Sequence, residues 1–381
     1  MFSLSGGKKI KAYIVLEDGS HFEGEGFGYP ACAPCEVVFN TGMVGYPESL
    51  TDPSYSGQLL IQTYPLIGSY GVPPMREKDE YGLLRHFESD RVQVAGFGVA
   101  ELQKSPSHWQ SETDLAGWLF RQKVPAIEGI DTREITKILR SKGTMWGMIG
   151  VGDDLDLELL KLEAMEAEER GSADLVKGVS VTSPIEYDAH SKRTIAVIDC
   201  GVKFSIIREL LSRGLNVLRV PYDSPAGVIL RSEPDGILIS NGPGDPARCA
   251  RTISTAAELL ETGIPMMGIC LGTQIIALAA GAATYKLPYG HRGQNQPCLD
   301  LSTGRCYITS QNHGYAVDSR SLQGTGFKAS FVNVNDGTVE GLRHEAKPIF
   351  GVQFHPEASP GPCETSFLFD EFTTEVENCH R

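Results

Sequence analysis

Residues 265–281 read PMMGICLGTQIIALAAG, and this stretch decides how the chain is expected to fold. An apolar run leads into Gly268-Ile269-Cys270-Leu271-Gly272, and an alanine-rich segment continues to Gly281. Glycines on both sides of Cys270 permit a sharp strand-to-helix turn, where backbones crowd and side chains would collide. We therefore predict a strand, a tight turn that exposes the Cys270 thiol, and a helix.

Cys270 is a candidate nucleophile, because a helix N-terminus favours the anionic form of a thiol placed there. The alternative is an inert buried thiol, since free cysteines are among the most buried residues. The flanking glycines, the preceding strand and the following helix favour the nucleophile. The other eight cysteines keep the inert interpretation.

The sequence around this turn alternates between strand and helix patterns. Runs at 194–199, 215–220, 236–240 and 265–268 are typical of buried strands, and segments at 204–213 and 247–262 are typical of helices. This alternation predicts an α/β fold whose C-terminal domain is a doubly wound, mostly parallel sheet. Chemistry in such sheets lies at the carboxyl ends of the strands.

The N-terminal part of the chain has a different character. It is rich in glycine and proline, with short β-like runs at 12–16, 36–39, 59–63 and 92–99. We predict a β-rich α+β domain over residues 1–150, a linker with an acidic helix over 151–192, and the doubly wound domain over 193–381.

Composition limits the function classes. The net charge of -14 disfavours nucleic acid, whose backbone attracts basic proteins. No apolar run is long enough to span a membrane. The first twenty residues lack the apolar core of a secretory signal, and Glu17 and Asp18 are atypical of a transit peptide. We expect a cytoplasmic protein with reduced thiols.

A cysteine nucleophile requires a base, and the segment Val352-Gln353-Phe354-His355-Pro356-Glu357 offers one. Pro356 disfavours a helical conformation at His355, so His355 and Glu357 are expected on one side of an extended segment. The carboxylate would then orient the imidazole. The run that precedes this pair can be a further strand ending at the same sheet edge.

Two further loops are candidates for substrate binding. Asn241-Gly242-Pro243-Gly244-Asp245-Pro246 follows a strand, and its backbone, with the N–H of Leu271, can stabilise an oxyanion. Gln311-Asn312-His313-Gly314-Tyr315 can hold the charged groups of an amino acid. His313 is not assigned the role of base.

One metal-type motif is set aside, and a phosphate-binding motif is absent. Cys32-Ala33-Pro34-Cys35 has the spacing of redox and zinc motifs, but no second pair of ligands supports it, and we predict no metal site. No phosphate-binding G-x-x-x-x-G-K-[ST] motif is present, so we predict no cofactor on this chain.

Taken together, GICLG with Gln274, NGPGDP, QNHGY and FHPE resemble class I, or triad-type, glutamine amidotransferases. The N-terminal motifs narrow the resemblance to the carbamoyl phosphate synthase small subunit; they are LEDG (16–19), EVVFNTGM (36–43), LTDPSY (50–55) and TYP (63–65). MVGYPE (43–48) and GQNQP (293–297) resemble the pyrimidine-pathway form most.

The resemblance implies a triad of Cys270, His355 and Glu357 that forms a glutamyl thioester. It also implies that glutamine is held by Ser54, Gly242, Gly244, Leu271, Gln274, Asn312, Gly314 and Tyr315. Ammonia would pass through an internal tunnel to a synthetase, either a large subunit or a fused domain. That partner would bind ATP and Mg²⁺.

Two positions depart from the family pattern. Thr273 stands where a histidine is usual, and Ser205 stands where an asparagine is common. Thr273 is the one sequence feature that favours an alternative, a catalytically weak or silent regulatory domain that docks on the synthetase. A glutaminase for anthranilate or GMP synthesis would lack the first 150 residues. The pathway, the oligomeric state and allosteric effectors stay open, as does the question of whether the chain is a free subunit or part of a fused chain.

Overall fold

The computed structural model describes residues 9–171 and 174–379. The predictions for the first eight residues, for 172–173 of the acidic linker and for 380–381 lie outside the described residues. The chain divides into two compact units, which are discontinuous in sequence: the first takes 1–50, 57–75 and 91–173, and the second takes 51–56, 76–90 and 174–381. The linear boundaries at 150 and 193 stay a prediction.

The first unit is built around a closed barrel with the strand order β1-β2-β8-β6-β4-β3-β9. A separate two-stranded sheet pairs β5 with β7. The strands are β1 (Lys11–Leu16), β2 (His21–Gly26), β3 (Cys32–Asn40), β4 (Gln58–Gln62), β5 (Leu66–Ile67), β6 (Gly96–Gly98), β7 (Glu101–Leu102), β8 (Ala126–Glu128) and β9 (Met145–Val151). The helices are α1 (Tyr46–Thr51, whose last residue falls in the second unit), α2 (Leu115–Arg121), α3 (Thr132–Lys142), α4 (Leu157–Met165) and α5 (Ala167–Gly171).

Strand β1 shows why the acidic segment folds where it does. Ile14 packs into the barrel interior, while Tyr13 and Val15 point outward and pack with Leu160 and Ala164 of α4. The segment at 153–170 was predicted to be a surface helix of the linker. Its helical conformation is confirmed by α4 and α5, which cover the apolar outer face of β1.

The second unit contains a ten-stranded sheet with the order β10-β12-β11-β13-β14-β19-β18-β17-β15-β16. Its strands are β10 (Ile185–Tyr187), β11 (Thr194–Asp199), β12 (Asn216–Pro221), β13 (Gly236–Ile239), β14 (Met266–Ile269), β15 (Thr284–Asp300), β16 (Cys306–Val317), β17 (Phe327–Asn333), β18 (Val339–His344) and β19 (Ile349–Val352). Its α-helices are α6 (Leu175–Val179), α7 (Phe204–Ser212), α8 (Ala226–Leu230), α9 (Ala250–Leu260), α10 (Leu271–Ala279) and α11 (Phe367–Asn378). Short 3-10 helices cover Pro53–Tyr55, Pro246–Arg248 and Ser319–Leu322.

In this order, the strands β12, β11, β13, β14 and β19 run parallel to one another. The strands that flank them, β10 and β18, are antiparallel to β12 and β19. The predicted fold class is therefore confirmed, but the antiparallel flank of β15 to β18 was not predicted. Its long polar strands, such as β15, lack the continuous apolar run that marks a buried parallel strand.

Helices cover both faces of the parallel strands. Ala196 and Ile198 of β11 pack in the cluster that contains α8, α9 and α10 residues, whereas Ile195 and Val197 face the cluster of α7 and α11. Alternate residues thus enter two cores, as expected for a doubly wound sheet. Among the helices that the structure describes, none is long and apolar enough to cross a membrane.

The contact of α10 with β13 depends on Gly272. A Cβ atom at this position would lie 2.0 Å from the backbone oxygen of Ile239, much closer than any van der Waals contact. The helix and strand would have to separate to admit a methyl group.

We predict that Gly272→Ala lowers the free energy of unfolding by about 3 kcal/mol or more, because the clash is with backbone that cannot rotate away. Gly178→Ala is the matched control, since a Cβ there meets nothing within 4 Å. That change should be neutral or stabilise by up to about 1 kcal/mol. Urea denaturation measures both, and equal stabilities would contradict the packing described here.

Candidate active site

Cys270 lies between β14 and α10, at the carboxyl edge of the parallel strands. Its backbone has φ 53° and ψ -107°, a left-handed conformation that few residues other than glycine adopt. The Cys270 N–H donates to the carbonyl of Val352 at the end of β19, at 2.8 Å. The predicted sharp turn is therefore present. Such a backbone conformation typically costs ~1–3 kcal/mol, and the hydrogen bond to Val352 of β19 stabilises it.

The thiol was predicted to be exposed, and this prediction is wrong, because Cys270 is only 2% exposed. It belongs to an apolar core cluster, but two polar groups also reach the sulfur. Sγ lies 3.7 Å from the carbonyl oxygen of Asn312 and 3.6 Å from Nε2 of Gln353. The segments that follow β19 and that form β16 close over the turn, which no sequence pattern near Cys270 reveals.

The structure brings His355 and Glu357 together, as the sequence indicated. Nδ1 of His355 lies 2.6 Å from Oε1 of Glu357. His355 itself is extended, as expected, and its N–H donates to the carbonyl of Ser310 in an isolated antiparallel bridge. The chain turns directly after it, since the N–H of Ala358 donates to the carbonyl of His355. Strand β19 ends at Val352, so the pair lies just beyond its carboxyl end.

Lys203 completes a buried chain of charges. Its ammonium group lies 3.0 Å from Oε1 of Glu357 and donates to the carbonyl of Ala358 at 2.6 Å. The side chains of Lys203 and Glu357 are 3% and 0% exposed, so neither charge is solvated by water. A buried carboxylate needs such a partner to stay ionised.

The pKa values reflect this pairing. Burial alone would raise the pKa of Glu357, but Lys203 and then His355 outweigh it and hold that pKa well below its usual range. Burial alone would lower the pKa of His355, but the Glu357 carboxylate outweighs it and raises that pKa. The imidazole is therefore favoured as a cation at neutral pH.

The other ring nitrogen of His355 is directed to the thiol. Within the described residues, Nε2 is buried and has no hydrogen-bond partner by distance and angle, while the Cys270 thiol is close enough to contribute to the raised pKa of His355. The two side chains are therefore close enough to act as a pair. Such a pairing is the usual way in which a cysteine nucleophile is activated.

The candidate binding residues lie around the same edge. Asn241, directly after β13, donates through Nδ2 to Oγ of Ser54 at 2.9 Å. The side chain of Asn312 donates to Oδ2 of Asp52 at 3.1 Å, and Asp52 also accepts from the N–H of Ser54. Ser54 and Asn312 are therefore positioned by one hydrogen-bond network around Asp52.

The glycine loop allows a close approach of backbones. A Cβ on Gly242 would lie 2.1 Å from the carbonyl of Cys200 and 2.8 Å from the Leu271 side chain, so only glycine fits. Gly244 has φ +86° and is exposed. Leu271 is the first residue of α10, where helix N–H groups have no partner within the helix.

Gln274 and Tyr315 meet, but through the backbone of Tyr315. Nε2 of Gln274 donates to the Tyr315 carbonyl at 2.7 Å and to Oε1 of Gln353 at 3.0 Å. Gly314 and Tyr315 are partly exposed, whereas Asn312 is buried. Gln274 thus links α10 to β16 in addition to any contact with substrate.

Sequence reasoning did not assign a role to Lys203, Asp52 or Gln353. Lys203 lies in the loop that follows the buried strand β11, in the string DCGVK. A lysine in the loop at the carboxyl end of a buried parallel strand is a sequence signal for a site residue. Asp52 carries only the local signal of a cap, since it accepts from the N–H of Ser54 at the start of the helix Pro53–Tyr55, and Gln353 carries none, because its partners are distant in sequence.

The two departures from the family pattern have structural explanations. The hydroxyl of Thr273 lies 3.0 Å from the carbonyl of Gly268 and 2.7 Å from that of Val352, so it ties α10 to the ends of β14 and β19. The N–H of Ser205 donates to the buried Glu88 carboxylate at 3.1 Å. Both side chains are buried.

Comparisons with known proteins identify the family of each part of the chain. Residues 196–374 match the family described as glutamine amidotransferase class-I, and residues 14–149 match the CPSase domain of the carbamoyl-phosphate synthase small chain. The second unit is therefore a class I glutamine amidotransferase domain.

Relatives extend the match over nearly the whole chain. The carbamoyl phosphate synthase small chain of Archaeoglobus fulgidus is 49% identical over 95% of this chain and 98% of its own length. The arginine-specific small chain of Neurospora crassa is 48% identical over 96% of this chain and 80% of its own. The chain belongs to the carbamoyl phosphate synthase small chain family.

One solved structure is also similar, a Thermoplasma acidophilum protein proposed to be part of a GMP synthase. It is 22% identical with a TM-score of 0.44 and matches 49% of this chain and 96% of its own length.

We predict that Lys203→Met lowers the free energy of unfolding by about 3 kcal/mol or more at pH 7, because it leaves the buried Glu357 carboxylate with the His355 imidazolium but without the ammonium group. The folded-state pKa of Glu357 is lowered, so the stability it contributes is present above its unfolded pKa and is lost as the pH falls through the folded value. The difference between variant and wild type should therefore shrink in acid.

Lys161→Met is the control for this substitution. Lys161 lies 2.8 Å from Glu158, whose side chain is 78% exposed, and such surface pairs contribute about 0.5 kcal/mol or less. Denaturant titrations between pH 2 and 8 measure both variants and span the folded-state pKa of Glu357. A Lys203→Met protein as stable as the control would show that Glu357 does not need the ammonium group.

Proposed function

We propose that the second unit hydrolyses L-glutamine, with Cys270 as the nucleophile, His355 as the proton carrier and Glu357 as the group that orients the ring. The observation that carries this proposal is the hydrogen bond from Nδ1 of His355 to Glu357 at 2.6 Å, with the second ring nitrogen left to the Cys270 thiol. Membership of an amidotransferase family supports it.

The first half of the proposed reaction releases ammonia. The Cys270 thiolate attacks the carbonyl carbon of the glutamine side chain, and the carbonyl π electrons move to the oxygen. When the tetrahedral intermediate collapses, its C–N bond breaks and the His355 imidazolium gives its Nε2 proton to the departing nitrogen. The products are ammonia and a glutamyl thioester on Cys270.

The second half regenerates the enzyme. Neutral His355 takes a proton from a water molecule, whose oxygen attacks the thioester carbon. The C–S bond then breaks, so that glutamate leaves and the thiolate and imidazolium are restored. Glu357 stabilises the imidazolium in both resting and product states, because its carboxylate stays ionised through Lys203.

Two backbone groups are proposed to stabilise the oxyanion of each intermediate. One is the N–H of Leu271, at the start of α10, and the other comes from the loop at Gly242, which packs against Leu271. Removing a single donor of this kind typically costs ~10²- to 10³-fold in rate.

The charged groups of glutamine are proposed to bind around the same edge, where polar side chains and free backbone groups surround the thiol. Ser54 and Asn312 are held rigidly by Asp52, so they can bind substrate without first losing side-chain freedom. The remaining proposed contacts come from Gly244, Gln274, Gly314 and Tyr315.

We further propose that the ammonia passes to a synthetase partner, a large subunit or fused domain, which makes carbamoyl phosphate from bicarbonate. ATP and Mg²⁺ would bind to that partner, because this chain carries no phosphate-loop motif. Relatives described as small chains support a partner of this type. A cytoplasmic location and the absence of a nucleic-acid or membrane partner stay predictions.

The proposed site does not show which pathway uses the product, because the small chain would act only on glutamine. The sequence indicated the pyrimidine-pathway form, and the relatives do not support it. They are named arginine-specific in fungi such as Chaetomium globosum, at 47% identity, or carry no pathway in their names.

We predict that Cys270→Ser reduces glutamine-dependent carbamoyl phosphate synthesis by at least ~10⁴-fold, since loss of a covalent nucleophile removes the whole thioester route. Synthesis from free ammonia by the same complex should stay largely unchanged. Cys306→Ser, which alters an exposed thiol, is the control and should keep glutamine activity. Full glutamine-dependent turnover by Cys270→Ser would rule out the thioester.

We also predict that the isolated chain hydrolyses glutamine slowly and that the rate rises several-fold when the synthetase is added. Closure of mobile segments over a buried nucleophile is a common limit on turnover, and Cys270 is almost fully covered. Released glutamate is measured with and without partner. A rate that does not respond to partner would contradict this coupling, and no hydrolysis in either case would favour the silent regulatory domain.

A further inference from the structure

A second group of ionisable side chains lies away from the proposed nucleophile, on the antiparallel flank of the second unit. His291 of β15, His313 of β16 and Glu340 of β18 are all buried, and one ligand atom from each lies within 4.8 Å of the others. His291 and His313 are paired directly across the two strands. We refer to these three residues as the histidine cluster.

The hydrogen bonds of each ring direct a lone pair toward Glu340. Nε2 of His291 lies 2.9 Å from Oδ2 of Asp336, and Nδ1 of His313 lies 2.9 Å from the carbonyl of Tyr315. Both acceptors are satisfied if these nitrogens carry the protons. The remaining nitrogens, Nδ1 of His291 and Nε2 of His313, then point to Oε1 of Glu340, at 3.2 and 3.7 Å.

With both rings neutral, as metal ligands are, this arrangement places acceptors opposite acceptors. Nε2 of His313 also lies 3.2 Å from Oε1 of Gln311, whose amide nitrogen is directed to Cys298 and Thr309. The one nearby donor among the described residues is the Asn333 amide, 3.3 Å from Oε1 of Glu340 and 3.5 Å from Nδ1 of His291. One amide does not satisfy so many converging lone pairs.

The carboxylate gives an independent indication. Within the described residues, Oε2 of Glu340 is buried without a hydrogen-bond partner, and the Glu340 side chain is 0% exposed. A buried carboxylate oxygen without a donor is costly unless a cation lies beside it. The cluster therefore favours a positive charge at its centre.

We propose that the histidine cluster binds a divalent transition-metal ion of the zinc class, with Nδ1 of His291, Nε2 of His313 and the Glu340 carboxylate as ligands. Two imidazoles and one carboxylate are a ligand set that zinc accepts, and bonds of ~2.0–2.2 Å place ligand atoms about 3.3 Å apart. The distances from Oε1 of Glu340 to the two nitrogens are already close to this spacing.

The surrounding groups match what such a site needs. Metal-bound histidines usually donate their second N–H to a carboxylate or a backbone carbonyl, which are the roles of Asp336 and the Tyr315 carbonyl. Two carboxylates, Glu340 and Asp336, balance a divalent charge. Asp336 is 43% exposed, so an ion can reach the cluster from its side. Oε1 of Gln311 or a water molecule can supply the fourth ligand.

The ion would stabilise the fold rather than catalyse a reaction. It would join β15, β16 and β18, and His313 lies between Asn312 and Gly314 of the proposed substrate loop. The inference goes beyond the proposed glutaminase, and its test measures metal binding without glutamine hydrolysis.

The test uses the full chain with Cys270→Ser, so that metal cannot bind between that thiol and His355. After chelator treatment, Zn²⁺ is titrated against a chromophoric competitor. One tight equivalent is expected, with a rise of about 5 °C in Tm at 100-fold excess over Kd. Glu340→Gln and His291→Asn should weaken binding by at least ~100-fold, and Asp336→Asn by ~10- to 100-fold.

His190→Asn is the matched control, because it removes a histidine that is 91% exposed and lies outside the cluster. It should bind zinc as tightly as the parent. Co²⁺ gives a second readout, since d–d absorption without a thiolate charge-transfer band is expected for nitrogen and oxygen ligands.

Three results would overturn the proposal. They are no tight zinc in the folded parent, unchanged affinity in Glu340→Gln or His291→Asn, and a thiolate charge-transfer band with Co²⁺. Circular dichroism of the metal-free variants checks that each is folded. If Glu340→Gln fails to fold, His291→Asn and Asp336→Asn decide the outcome.

Discussion

The ion pair between Lys203 and Glu357 is the interaction on which the rest of the site depends. Lys203 follows β11 and Glu357 follows β19, so their contact links the two outer strands of the four whose carboxyl ends surround Cys270. Neither side chain is exposed to water in any significant amount, and each charge is tolerable only because the other is present. The ionised Glu357 then keeps His355 protonated and fixes its ring.

Burial of the thiol changes how its reactivity is understood. A cysteine on an exposed turn would react with any small electrophile, whereas Cys270 is enclosed by apolar core side chains together with polar groups from β16 and from the segment after β19. In such an enclosure charges interact more strongly than in water, which strengthens the contact between His355 and Glu357. The strained backbone at Cys270 is held by the carbonyl of Val352, which also accepts from Thr273.

The antiparallel flank gives the second unit features that a simple doubly wound sheet lacks. Strand β16 places the backbone carbonyl of Asn312 near Sγ of Cys270, the side chain of Asn312 on Asp52, and His313 near β15 and β18. Adjacent side chains of a strand point to opposite faces, so Asn312 and His313 contact two different groups of polar residues. Substrate binding on one side of β16 and the order of the histidine cluster on the other are therefore expected to influence each other.

The sequence by itself determined the doubly wound fold, the turn at Cys270 and the pairing of His355 with Glu357, because strand and helix periodicity, flanking glycines and a two-residue spacing are local properties. Only the folded chain shows that Cys270 is buried, that Lys203 neutralises Glu357 and that Asp52 binds the side chain of Asn312. The tertiary structure also brought His291, His313 and Glu340 together across three strands. These contacts join residues far apart in the chain, and local spacing carries no information about which distant strands become neighbours.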